Sequence, residues 1–147
     1  PSLFVIVGSL PVASGTSAQT VYDRYQFHCY KAGLSSGLAT AISSFTGTVN
    51  SAGGATLFYT VWVTDGTDYQ SATGMVIATR VDKAGVATTT ISLVNEQTAA
   101  SAGTVSTAWS ISGNNIRVTP TVTGITPTTI QINWMVVSHG EAILAPI

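Results

Sequence analysis

The sequence predicts an all-β protein: a single-domain, antiparallel, jelly-roll-like β-sandwich of 147 residues. Three observations lead there. Apolar residues recur with a period of two over most of the chain, the spacing that places them on one face of a strand. Turn signals separate these runs at intervals of about 8–12 residues, as in sandwiches and jelly rolls. No stretch of ten or more residues carries apolar positions at helical spacing, and no internal repeat is present.

The elements follow in chain order. Residues 3–7 (LFVIV) are apolar on both faces and read as a strand buried on both sides. Residues 13–19 form a Ser/Gly-rich loop. Residues 21–31 alternate Val21, Tyr25, Phe27 and Cys29 with Tyr22, Arg24, Gln26, His28 and Tyr30. They read as a strand, a short helix being the alternative. Residues 33–54 are rich in glycine and small side chains, with one further weak strand over 40–49. The first 54 residues are therefore the less regular part, and 55–138 hold the regular strands and hairpins.

In residues 55–64, Leu57, Tyr59, Val61 and Val63 share one face, and Phe58, Thr60 and Trp62 the other. Residues 65–68 (DGTD) are a turn. Residues 73–82 place Met75, Ile77 and Val81 together, 82–85 (DKAG) form a hairpin loop, and 86–94 are a Thr-rich strand. Residues 99–103 read as a loop. Val105, Trp109 and Ile111 share a face of 104–111, and 112–115 (SGNN) turn the chain. Residues 116–123 direct Ile116, Val118 and Val122 inward. Pro120 falls on that inward face and lacks an N–H, which argues for an edge or a bulge. After a turn at 124–127, residues 128–138 oppose Ile130, Ile132, Trp134 and Val136 to Thr129, Gln131, Asn133, Met135 and Val137.

Composition narrows the function. Only 5 basic and 6 acidic residues are present, 7% of the chain, against about 25% in ordinary domains. The hydrophobic share is an ordinary 45%, so Ser, Thr, Gly and Asn stand where charges would. That is not a disordered composition, which pairs low hydrophobicity with high net charge. It suits closely apposed protein surfaces, because charge is depleted from interface cores. A net charge of −1 gives no electrostatic footprint for nucleic acid or an anionic membrane. No apolar run reaches transmembrane length, so membrane insertion is not expected, and no signal peptide is visible. The chain starts with Pro1, either after loss of an initiator Met or as an excised fragment. Cys29 is the single cysteine and forms no internal disulfide.

Nothing in the residue inventory assembles a catalytic or metal site, and no cofactor is expected. Acid–base or nucleophilic chemistry needs convergent ionisable groups. The chain offers two His, one Cys and two Glu. His28 and Cys29 are neighbours on a strand, so they point to opposite faces. His139 lacks ligand partners at metal-binding spacing. Asp65 and Asp68 fit turn chemistry better than a calcium loop. Gly53-Gly54 and Gly113 read as loop glycines without the helix and lysine of a phosphate loop. Trp62, Trp109 and Trp134 read as core or interface anchors. Asp68, Tyr69 and Gln70, beside a turn, are the best candidates for a ligand contact.

The order of segments 55–70 (ATLFYTVWVTDGTDYQ), the hairpin 75–94, 109–118 (WSISGNNIRV) and 122–134 (VTGITPTTIQINW) resembles the C-terminal knob domains of tailed-bacteriophage tail fibres, spikes and needles. The resemblance covers about the last two thirds of the chain. It implies a compact jelly-roll or tumour-necrosis-factor-like knob, assembled as a trimer on the virion surface. It also implies contact with other virion proteins and with a host surface glycan or protein. A phage capsid decoration or head-fibre subunit without a receptor role is the first alternative, a cell-surface carbohydrate-binding module the second. An enzyme is set aside for want of ionisable groups. Homo-oligomerisation has its own argument. Residues 3–7 and the end of 128–138 are apolar on both faces, whereas one sandwich core covers only one face of each sheet. Phe4, Ile6, Met135 and Val137 are the expected interface residues. The number three comes from the resemblance alone.

Overall fold

A computed structural model describes residues 3–6, 24–47 and 49–147, with the side chains of 3–6 and 24–26 left undescribed. Val7, the 13–19 loop, residues 21–23 and the two-sided burial expected of 3–7 lie outside this description. The strands are β1 Leu3–Ile6, β2 Arg24–Lys31, β3 Thr40–Thr46, β4 Ala52–Thr64, β5 Tyr69–Lys83, β6 Val86–Ala100, β7 Thr104–Ser112, β8 Asn115–Thr123, β9 Thr129–Gly140 and β10 Ile143–Pro146. No helix occurs among the described residues.

All pairings are antiparallel. They make a six-stranded sheet, β1-β2-β9-β4-β5-β6, and a four-stranded sheet, β10-β3-β8-β7. The pairings β2–β9 and β3–β8 are nested, as when a long hairpin folds back over itself in a jelly roll. The run β4–β5–β6 instead forms a meander within one sheet. The sandwich is thus wider on one side.

The core lies between the sheets and is built by the predicted alternation. Leu57, Tyr59, Val61 and Val63 of β4 are buried, as are Ile130, Ile132, Trp134 and Val136 of β9, and Phe27 and Cys29 of β2. Ile116 and Val118 meet them from β8, with Ile42 and Phe45 from β3. The weak third strand is real. Ile42 and Phe45 sit three apart on one face because the register shifts between Ala41 and Ser43. The Trp134 indole N–H donates to Ser43 Oγ at 3.2 Å, so a buried polar handle is paired.

Met75, Ile77 and Val81 share a face of β5 as expected, and that face points away from the core. The inward face carries Gln70, Ala72, Val76, Ala78, Arg80 and Asp82. Arg80 and Asp82 are buried because they neutralise each other at 3.0 Å. The arginine also donates to Asn114 Oδ1 and Ser51 Oγ. Several other expectations are corrected. Residues 99 and 100 belong to β6, not to a loop, and Gly53 and Gly54 lie inside β4. An added Cβ at Gly53 would stand 2.1 Å from the Ala142 carbonyl oxygen, so this glycine admits the β9–β10 turn. His139 is inside β9, not beyond the last strand, and β10 was not foreseen. Pro120 sits within β8, a strand flanked on both sides, yet its own position is locally an edge. The β3 pairing ends at Val118, so Pro120 has a strand partner, Thr107, only in β7, and on its other side its carbonyl accepts the Gly37 N–H at 2.8 Å.

Candidate functional site

One end of the sandwich gathers the β4–β5 turn, the β6–β7 loop and the β8–β9 turn. The Asp65 carboxylate accepts the backbone N–H groups of Thr67 (2.9 Å) and Asp68 (2.8 Å). These bonds, the Asp68 one foremost, hold its pKa below the usual carboxylate range. Ser101 Oγ–H donates to Asp68 Oδ1 at 2.7 Å and accepts the Tyr69 N–H at 3.0 Å. The three ligand candidates therefore divide. Tyr69 is 61% exposed, while Gln70 is 2% exposed, because neighbours on a strand face opposite ways. Gln70 Nε2 donates to the Ala102 and Thr123 carbonyls, tying the β6–β7 loop to the end of β8. Asp68 and Tyr69 remain as the accessible pair.

A second polar cluster ties the two sheets at their β6 and β7 edges. Tyr59 O–H donates to Glu96 Oε2 at 2.5 Å, and Thr107 Oγ1 also meets that oxygen. The Thr107 backbone N–H donates to Glu96 Oε1 at 3.2 Å. Trp109 closes the group, with its indole N–H on Thr107 Oγ1 at 2.9 Å and its ring centroid 4.8 Å from that of Tyr59. Burial, then the Glu96 bond, raises the Tyr59 pKa and keeps the phenol protonated. Glu96 thus acts as an acceptor that caps a backbone N–H on β7, the edge strand of its sheet. Of the other described carboxylates, Asp65 and Asp68 share the β4–β5 turn, Asp82 is against Arg80 and Glu141 is in the β9–β10 turn. His28 is exposed and Cys29 buried, on opposite faces of β2, with burial raising the thiol pKa. Among the described residues no group of three or more His, Cys, Asp or Glu could hold a metal.

The surface that stands out is the outer face of the six-stranded sheet. Register aligns Phe4, His28, Met135, Phe58 and Met75 in one row across β1, β2, β9, β4 and β5. The next row runs Ile6, Gln26, Val137, Thr56 and Ile77. The four interface residues expected from sequence therefore occupy adjacent rows, together with Phe58 and Ile77, which that reading did not nominate. Their signal was present in the alternation, but only the strand order reveals the adjacency. Beside Gly54 a notch of about 290 Å³ opens between Thr56, Ile77, Thr79, Val137 and His139. A second cleft of about 360 Å³, uncharged, lies between residues 32–36 and 127–130.

No family model matches the chain, and no curated protein matches it in sequence. Among solved structures, the tailspike protein of Acinetobacter baumannii phage AM24 is similar over 84% of this chain, with a TM-score of 0.56 and 8% identity. This chain spans 28% of that tailspike. A tailspike of Acinetobacter baumannii bacteriophage Fri1, described as a capsular polysaccharide depolymerase, aligns with all of this chain and 22% of its own, at 14% identity and a TM-score of 0.44. At such identity the first likeness establishes a shared β-sandwich fold.

Proposed function

We propose that this chain is a non-enzymatic structural and receptor-binding module of a phage tail spike or fibre, working as a homo-oligomer on the virion. The observation that carries the reading is the sandwich shared with the AM24 tailspike over 84% of this chain. The strand-and-turn resemblance of residues 55–134 to tail-appendage knobs supports it independently, and supplies the trimer. Charge depletion to 7% supports life against other protein surfaces. Asp65, Asp68, Asp82 and Glu96 are each engaged in structural hydrogen bonds or an ion pair, which favours binding over hydrolysis. Asp68 and Tyr69, at the loop end, are the candidate host contacts.

The test is binding of the labelled, purified chain to a panel of encapsulated bacteria, Acinetobacter baumannii included, alongside viscometry of their purified capsules. The proposal expects adhesion to at least one strain with capsule viscosity unchanged. Viscosity that falls with the wild-type protein overturns the non-enzymatic reading. Adhesion to none overturns the receptor role.

A further inference from the structure

We infer that the outer face of the six-stranded sheet is where a second copy of this chain docks. The inference rests on the homo-oligomeric reading above and names the surface it uses. An antiparallel sheet with one wet face ordinarily alternates apolar-in with polar or charged-out. On this sheet the outer positions of β4, β5 and β9 carry Thr56, Thr60, Ser71, Thr73, Gln131 and Asn133, interrupted by an apolar cluster in the rows of Met135 and Val137. Phe58 and Ile77, on its outer face, are each 42% exposed. Met75, Met135 and Val137 lie in the same two rows, and the half-buried Trp62 stands two rows further along β4. From the row of Val137 to the row of Gln131, β2, β9, β4, β5 and β6 place no Asp, Glu, Lys or Arg at an outer-face position.

The dimensions suit a stable contact. Five strands at about 4.8 Å spacing and seven residues at about 3.4 Å rise cover about 24 Å by 24 Å, a plane of roughly 600 Å². Side chains roughen that plane toward the roughly 800 Å² per partner of a standard interface. A foreign protein partner is ordinarily steered and selected by complementary charge, and these rows have none to offer; the nearest charged position, Arg24, lies one row beyond Val137, opposite His139. A second copy presents the same uncharged rows, so pairing them desolvates no ion. The Gly54 notch and the projecting Phe58 ring lie on the same face, giving it relief for interdigitation.

The experiment measures mass by sedimentation over a hundredfold range of protomer concentration. It compares wild type with Phe58→Asp, Ile77→Asp and the control Val86→Asp, the last at a hairpin tip 72% exposed. Wild type and Val86→Asp are expected as oligomers. Phe58→Asp and Ile77→Asp should fall to the 15.1 kDa of one chain with an unchanged β-type circular dichroism spectrum. Should either aspartate variant misfold, Phe58→Thr with Ile77→Thr gives the same reading with a strand-compatible side chain. Oligomeric outer-face variants alongside an oligomeric wild type overturn this inference and leave the homo-oligomer standing. A monomeric wild type overturns both.

Discussion

Replacing Arg80 with Met tests whether the buried ion pair holds the β5–β6 hairpin to the rest of the sandwich. The side chains of Arg80 and Asp82 are only 5% and 6% exposed. The guanidinium donates to Asp82 Oδ2 at 3.0 Å, Asn114 Oδ1 at 3.2 Å and Ser51 Oγ at 3.3 Å, linking β5 to the β7–β8 turn and the start of β4. Methionine fills most of the volume, so the cost is chiefly electrostatic. Asp82 would keep the Gly85 N–H at 2.9 Å and the Asn50 N–H at 3.4 Å, without a cation. Removing one partner of a buried pair costs about 3–5 kcal/mol. At about 2–4 °C per kcal/mol for a chain of this size, Tm should drop by about 6–20 °C. Thermal unfolding followed by circular dichroism, at fixed protomer concentration, measures it. Arg80→Met/Asp82→Leu should lose less than the two single variants added together, since each single leaves a lone buried charge. A loss under about 1 kcal/mol for Arg80→Met, or an additive double variant, refutes the reasoning.

Two further outcomes are expected. Gly53→Ala pushes a methyl to 2.1 Å from the Ala142 carbonyl oxygen, whereas at Gly54 the nearest atoms are 3.5 Å away. Denaturant titration should show Gly53→Ala destabilised by about 1–3 kcal/mol or more and Gly54→Ala near wild type. Tyr59 has its folded pKa raised by burial and by Glu96, so its contribution is intact below the ordinary tyrosine pKa of about 10 and declines as pH rises beyond it. Tm against pH should therefore fall less steeply in Tyr59→Phe than in wild type on the alkaline side.

Where one face of a strand is apolar and the other is not, the sequence alone reveals which face is inside. The strand β8 is of that kind, with Ile116 and Val118 buried as predicted and Val122 partly so. On β4 and β9 the unbroken apolar alternation from Leu57 to Val63 and from Ile130 to Val136 marks the buried face, although Phe58, Trp62, Met135 and Val137 lie opposite. On β5 the larger apolar side chains, Met75, Ile77 and Val81, lie outside. Small residues and a self-neutralising Arg80–Asp82 pair lie inside, an arrangement that alternation cannot foretell because the two charges cancel only in three dimensions. The strand β3 was faint because a bulge between Ala41 and Ser43 breaks its period, and β10 because four residues ending in Pro146 carry almost no pattern. At the candidate surfaces, Tyr69 was legible as an exposed residue beside a turn. Gln70 was not legible as a buried clamp, since its carbonyl partners Ala102 and Thr123 lie 32 and 53 residues away. The outer-face rows needed the strand order, which brings β9 between β2 and β4.

The central claim, a charge-poor sandwich that lives as a homo-oligomer, meets its most direct test in the mass of the wild-type protein in solution. Light scattering across a range of concentrations should give a multiple of the 15.1 kDa chain, three copies by the tail-appendage resemblance, with a Tm that climbs with protomer concentration. A mass of one chain throughout, with a Tm indifferent to concentration, contradicts it.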